Sequence, residues 1–157
     1  MDERFEKYSN RNRNINRGYR KLEVWKEAIE LYRFVKSILA NIKSISFKVH
    51  AQIEDSALSI SSNIAEGYCR RYIKENIQFL NISLSSMGEN YSQVFAFMNA
   101  NIIDDKIFKE YDDLHYKLEN KLIKLNRSYI EKLKSNEEWE NDYKIKELLT
   151  GYSSDST

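Results

Sequence analysis

The chain has 157 residues, a formal net charge of +1, 41% hydrophobic and 31% charged residues, four glycines and no proline. That length suits one domain, the near-neutral balance gives no global case for nucleic-acid or membrane binding, and no apolar run reaches the ~18 residues of a membrane span. A lone cysteine, Cys69, excludes a disulfide framework and a paired-thiol metal site, and the first residues lack the apolar run of a signal peptide, so a cytoplasmic setting is expected.

Without proline the chain lacks its strongest helix breaker, and long helices joined by short turns are expected. Residues 1–19 come first and are polar, with Asn and Arg alternating from Asn10 to Arg17. Residues 1–21 hold seven Lys/Arg against three Asp/Glu, a net of +4. This reads as a basic flexible arm. Its two readings are a phosphate-contacting arm and a solvated extension.

The first predicted helix begins near Leu22 and runs to about Asn41, with Trp25, Ala28, Ile29, Tyr32, Val35 and Leu39 at helical spacing. Trp25 and Tyr32 suit a base-stacking platform, but aromatics at this spacing belong more often to a core. The second predicted helix, about Phe47 to Cys69, carries an apolar stripe of Ile53, Ala57, Ile60 and Ile64. A polar stripe of Gln52, Ser56, Ser59, Asn63, Glu66 and Arg70 lies beside it, and Ala57, Ser61 and Ala65 allow close helix approach. The scarcity of Lys and Glu predicts a helix surrounded by neighbours, with internal partners for Asn63 and Glu66.

The third predicted helix repeats every seven residues through Ile77, Leu80, Leu84, Met87, Tyr91, Val94 and Met98, the pattern of left-handed bundle packing. Ser83, Ser86, Glu89 and Gln93 offer a polar counterpart to the second helix. Phe79, Ile82, Phe95 and Phe97 are expected to point elsewhere, more apolar surface than one bundle needs, which subunit contacts would explain. The fourth predicted helix starts at the N-cap Asp104 and carries Phe108, Tyr111, Leu114, Leu118, Leu122, Leu125, Tyr129 and Leu133. Residues 135–157 hold two Lys/Arg against six Asp/Glu, a net of −4, and read as an acidic tail with room for one short helix.

No catalytic set emerges. His50 and His115 stand apart with no second ligand at metal spacing, and there is no Gly-rich phosphate loop, nucleophile elbow or His-Glu-x-x-His pair. Glu66 and Glu89 would face one another only if the second and third helices meet there. A di-iron bundle further needs Glu-x-x-His, which neither supplies, and Glu66 pairs more simply with Arg70 four residues on. No enzyme activity, cofactor or metal is expected.

Three stretches carry a resemblance: Leu22-Glu23-Val24-Trp25-Lys26-Glu27-Ala28, then Ser59 to Tyr68 with its core Ser62-Asn63-Ile64-Ala65-Glu66-Gly67, then Phe79-Leu80-Asn81-Ile82. Together they resemble the four-helix bundle proteins encoded in 23S rRNA intervening sequences, over about residues 20–134. A more distant likeness is to the accessory protein of diversity-generating retroelements, which works with a reverse transcriptase. The resemblance implies an all-α, up-and-down antiparallel four-helix bundle assembling as a homo-oligomer, a pentamer, that associates with RNA or the ribosome without catalysis. This chain departs from the family pattern at Glu54 and Asp55, where a pair of Arg is usual, and at Ser61, Tyr72 and Ser85.

The expected organisation is therefore a basic arm over 1–19, a bundle over 20–134 and an acidic tail over 135–157. The expected function is RNA or ribonucleoprotein association, with Arg11, Arg13, Arg17, Arg20, Lys21, Arg70 and Arg71 as contacts. A protein–protein interaction scaffold that binds no nucleic acid, with another protein such as a reverse transcriptase as partner, is the alternative. No membrane association is expected.

Overall fold

A computed structural model describes residues 3–42, 45–70 and 72–135. Four long helices form the bundle: α2 (Glu23–Asn41), α3 (Phe47–Tyr68), α4 (Ile73–Asn99) and α5 (Asp105–Lys134), preceded by a short α1 (Glu3–Ser9) and a 3-10 segment, Ile15–Lys21. The fold is all-α. Each long helix packs on its sequence neighbour, and α2 closes the ring against α5. Ser56 and Ile60 of α3 meet Gln93 and Ser83 of α4, respectively, so the two run antiparallel. His115 against Met87 and Asn126 against Asn81 set α4 and α5 antiparallel as well.

Local signals explain the helix ends. Ser46 caps α3 by accepting from the Val49 N–H at 3.3 Å. Asp104 caps α5 by accepting from the Ile107 N–H at 2.8 Å, as its position predicts. After α4 the Ile102 N–H donates to the Phe97 carbonyl at 2.9 Å and the Asn101 N–H to Met98 at 3.0 Å. That is a Schellman closure, with Asn101 at φ 55° in the left-handed position.

The core follows the predicted stripes in α3 to α5. In α2 it centres instead on Val24, Ala28, Leu31, Val35 and Ile38, and the expected Trp25, Ile29 and Tyr32 are half-buried. Leu31 and Val35, then Ile53, Ala57, Ile60 and Ile64, then Leu80, Met87 and Val94, then Tyr111, Leu118 and Leu122 are all buried. Each large aliphatic so buried contributes about 1.5–3 kcal/mol of transfer free energy. In α4 the positions seven apart, Leu80, Met87 and Val94, face the centre, while Ile77, Leu84, Tyr91 and Met98 are half-buried at its margin.

A polar seam threads the α3–α4 contact. Ser56 Oγ donates to Gln93 Oε1 at 2.7 Å, the Ser59 and Ser86 hydroxyls pair at 2.9 Å, and Ser83 Oγ donates to the Ile60 carbonyl at 3.0 Å. At its centre Asn90 Nδ2 donates to the Ile53 carbonyl and to Ser56 Oγ, while Asn90 Oδ1 accepts from the Tyr111 hydroxyl at 2.8 Å. Every polar atom of the Asn90 amide thus has a partner, as a fully buried side chain requires.

Four expectations are corrected. Within the flexible arm expected over residues 1–19, residues 3–9 form α1 and residues 15–19 belong to the 3-10 segment. Phe97 is buried, because it lies seven residues after Asn90 on the same face. Glu66 is exposed, and it pairs with Arg70 just past the end of α3 rather than with a neighbouring helix. Asn63 is half-buried and donates back to the Ser59 carbonyl and hydroxyl at 2.7 and 2.9 Å. The reason is that α3 keeps one solvent edge, Gln52, Asp55, Leu58, Ser62 and Glu66, spaced three or four apart. The expected acidic tail beyond Ser135 and its short helix lie outside the described residues.

Candidate nucleic-acid interface

The folded N-terminal segment begins with its aromatic residues. Phe5 of α1 stacks on Trp25 of α2 with ring centres 5.9 Å apart. Tyr19 meets the same indole edge-on at 5.2 Å and Tyr68 at 6.4 Å. Gly18 is buried directly on the Tyr68 ring: a Cβ there would stand 2.2 Å from the Tyr68 hydroxyl. Cys69 adds an Sγ–H bond to the Asn16 carbonyl at 3.3 Å. The end of the Ser-Asn-Ile-Ala-Glu-Gly-Tyr motif therefore seats the residues that precede the bundle.

Arg20 holds the segment's shape. Its guanidinium donates to the carbonyls of Tyr8 at 2.8 Å, Arg11 at 2.9 Å, Asn12 at 3.2 Å and Arg17 at 3.3 Å. Those of Tyr8 and Arg11 flank the C-terminus of α1, where a cation also complements the helix dipole. The turn between α1 and the 3-10 segment passes through Asn12 at φ 50°, a left-handed position that Asn tolerates.

This folding encloses a depression of about 360 Å³ between α1, the 3-10 segment and the start of α2. Among the described residues, Arg13, Arg17, Arg20, Lys21 and Lys26 line it, with Glu6 as its one acid and Ser9, Asn10 and Asn14 as neutral polar groups. Phe5 forms part of the wall. Arg13 engages one Nη with Asn10 Oδ1 at 2.6 Å, and Arg17 one Nη with the Asn12 carbonyl at 3.2 Å. A guanidinium carries five donors, so both keep several for a ligand. Lys26 pairs with Glu23 at 2.8 Å on the exposed face of α2.

The candidate contacts thus divide. Arg13, Arg17, Arg20 and Lys21 come together at one depression. Arg11 is exposed but does not line it. Arg70 lies over the Phe79 ring at 4.7 Å and pairs with Glu66. Arg71 lies outside the described residues. Sequence reading missed Phe5 and Lys26. The signal for Phe5 was the aromatic set Phe5, Tyr19, Trp25 and Tyr68, which only the fold assembles. Of the motif residues, Ile64 and Gly67 are buried and Ser62 is exposed, its hydroxyl donating to the Leu58 carbonyl at 3.0 Å. Ala65 is half-buried.

Two carboxylates of the bundle make interhelical ion pairs. Glu54 accepts from Lys36 at 2.5 Å and from the Tyr32 hydroxyl at 2.9 Å, and these bonds, Lys36 first, hold its carboxyl below the usual range. At this position, where the resemblance leads one to expect Arg, the chain has an α2–α3 clasp. Glu27 bridges α2 to α5 through Lys117 at 2.8 Å and Lys121 at 2.6 Å. Burial pushes its carboxyl up, but the two lysines together outweigh that and the net shift is downward. A second depression, about 610 Å³ beside Ile38, Ile42 and Ile103, is lined by Asp104 and Glu110 and, among the described residues, by no Lys or Arg.

Glu66 and Glu89 form no pair: Glu66 binds Arg70, and Glu89 accepts from Gln93 at 3.2 Å. Among the described residues no group of three or more His, Cys, Asp or Glu is placed to hold a metal ion, and no helix is long and apolar enough to cross a membrane.

The profile of the 23S rRNA-intervening sequence protein family matches residues 20–124, two thirds of the chain. The chain belongs to this family. A crystal structure of a protein with unknown function from the S23 ribosomal protein family, from Bacteroides thetaiotaomicron VPI-5482, superposes with a TM-score of 0.60 at 23% identity. The match covers 66% of this chain and 97% of that one, and it supports the fold. No curated protein matches the chain. The family match begins at residue 20, so α1 and most of the basic depression lie ahead of the part this chain shares with the intervening-sequence family profile.

Proposed function

We propose that this intervening-sequence family member is a non-enzymatic, homo-oligomeric helical bundle that associates with RNA or a ribonucleoprotein. The observation that carries the reading is the gathering of Arg13, Arg17, Arg20, Lys21 and Lys26 around one depression on the folded N-terminal segment. Cations grouped this way suit phosphate, the dominant source of affinity for nucleic acid. The neutral net charge does not oppose it, because the basic excess is local. Oligomer formation, pentameric on the family resemblance, is favoured by apolar side chains left exposed on α3 and α4. Leu58 is 42% exposed, Ile82 46% and Phe95 43%. A ring would present several basic segments together and multiply weak contacts by avidity.

The test is a titration of structured RNA into the full-length chain at two salt concentrations, with light scattering to fix the oligomer. Affinity that falls steeply with salt supports the reading. A monomer at micromolar concentration contradicts the oligomeric part. No binding at low salt contradicts the RNA part and favours the protein–protein scaffold, to which the exposed Ile82 and Phe95 would then belong.

A further inference from the structure

From the depression formed by α1, the 3-10 segment and the start of α2 we infer a site for a single nucleotide, its phosphate held by Arg13, Arg17 and Lys21 and its base stacked on Phe5. The inference deepens the RNA reading and rests on it for the source of the nucleotide, which is either a residue of single-stranded RNA or a free mononucleotide.

Size, charge and shape all bear on this. A depression of about 360 Å³ falls within the usual range for small-ligand sites, roughly 300–1,000 Å³. Its wall is asymmetric in chemistry. Arg13 and Arg17 present guanidinium donors and Lys21 an ammonium, whereas Phe5 contributes an aromatic ring. That ring is held by its stack on Trp25, which Tyr19 buttresses edge-on. A braced aromatic beside cations is the pairing that single-stranded nucleic-acid sites use, where the backbone follows the charge and the base stacks. Arg20 is assigned to the segment rather than to the ligand because four of its five N–H donors are committed to main-chain carbonyls. It acts as a positioning residue that keeps Phe5 and Arg13 on the same depression. Ser9, Asn10 and Asn14 supply neutral donors and acceptors for the sugar or base edge. The larger depression at the other end of the bundle contains Asp104 and Glu110 and would repel phosphate.

Trp25 makes the test direct, since the chain has only two tryptophans and the other, Trp139, is far along the sequence. In full-length protein carrying Trp139→Phe, Trp25 fluorescence is followed on titration with inorganic phosphate, adenosine, adenosine monophosphate and a single-stranded adenylate octamer. Binding of a separately labelled structured RNA is measured in parallel. The monophosphate and the octamer should change Trp25 emission and bind at least ten-fold more tightly than phosphate or adenosine alone. Lys21→Gln and Arg13→Gln should each weaken the monophosphate several-fold. Phe5→Ala should weaken it by about five-fold or more, the scale of a lost base stack, and Phe5→Tyr, which keeps an aromatic face without adding a tryptophan, should retain it.

Equal binding of phosphate and monophosphate overturns the base subsite, and no emission change with any probe overturns the site. If labelled RNA binds but is indifferent to Phe5→Ala and Lys21→Gln, the site is wrong and the RNA reading stands. If the monophosphate fills the depression while RNA fails to bind at low salt, the RNA reading is wrong and the site takes a free nucleotide.

Discussion

The guanidinium of Arg20 donates to the main-chain carbonyl of Tyr8, twelve residues earlier, at 2.8 Å. With its further bonds to Arg11, Asn12 and Arg17, it converts a stretch of Asn and Arg into a shaped surface. Charge-assisted bonds of this kind contribute about 1.5–3 kcal/mol each. Arg20→Gln should therefore raise amide exchange over residues 3–14 at least ten-fold while leaving the exchange of α3 and α4 unchanged. Lysine, whose three donors sit on one nitrogen and lack the planar fork, should not substitute. Unchanged exchange in α1 would mean that the aromatic stack on Trp25 suffices to hold the segment.

Two glycines on neighbouring helices should respond to alanine with opposite signs. A Cβ on Gly67 would stand 2.9 Å from Phe79 Cβ and 3.0 Å from Asn76 Oδ1, where α3 ends against α4. Gly67→Ala should cost about 1–3 kcal/mol through overpacking. Gly88 has nothing within 4 Å of such an atom and sits in the middle of α4. Gly88→Ala should stabilise by about 0.5–1 kcal/mol, the usual gain from replacing glycine in a helix interior. Urea unfolding of both variants checks the pair.

The amide of Asn90 joins three helices, taking a bond from Tyr111 of α5 and giving bonds to Ile53 and Ser56 of α3. Tyr111→Phe leaves Asn90 Oδ1 buried without its donor and should destabilise by about 1–3 kcal/mol. Asn90→Ala should cost at least as much, because it strands the Tyr111 hydroxyl and leaves a void. Restoration of stability in the double variant Tyr111→Phe, Asn90→Leu would identify stranded polar groups, rather than lost volume, as the cause.

His115 supplies a pH dependence. It is buried, and its Nε2 lies 3.0 Å from the Met87 carbonyl. A carbonyl only accepts, so Nε2 carries the proton and the neutral ring suits the site. Burial lowers its pKa below the ordinary 6.5, outweighing the raising effects of that bond and of Glu119 and Asp112. The unfolded chain therefore binds the proton first, and stability falls as pH drops below about 6.5. Glu27 and Glu54, both held below 4.5, contribute stability that is lost only at lower pH. Thermal melts between pH 7 and pH 5 should show a decline that His115→Gln removes, and a decline that persists in the variant would assign it elsewhere.

What was legible in the sequence was whatever repeats. The stripes of α3 to α5 and the Asp104 cap follow from spacing and side-chain chemistry, and these give the bundle. In α2, apolar residues on two adjoining rows left the buried row, Val24, Leu31 and Ile38, unread. Half of the polar seam was legible too, because Ser56 and Ser59 face Gln93 and Ser86 on two helices with complementary polar rows. Asn90 was missed because one amide amid an apolar repeat looks like a surface residue until Tyr111 stands opposite. Glu66 was misjudged because polar residues that are small enough for an interface also tolerate water, and α3 keeps a solvent edge. The N-terminal segment was illegible for a different reason. α1 has only seven residues, too few for a period to show, and its attachment depends on a distant indole and on main-chain carbonyls that have no side-chain signature.

RNA affinity of the full-length chain and of a chain lacking residues 1–19 tests the central claim most directly, measured with one structured RNA at two salt concentrations. Circular dichroism and light scattering should show that the truncated chain keeps the helices and the assembly state of the full-length chain, since the bundle core lies in α2 to α5 and the turn between α4 and α5. The expected result is at least ten-fold weaker binding at low salt and a shallower salt dependence, because each lost phosphate contact lowers the slope by about one. Equal affinity and equal slope in the two chains would contradict the assignment of RNA contact to the basic segment.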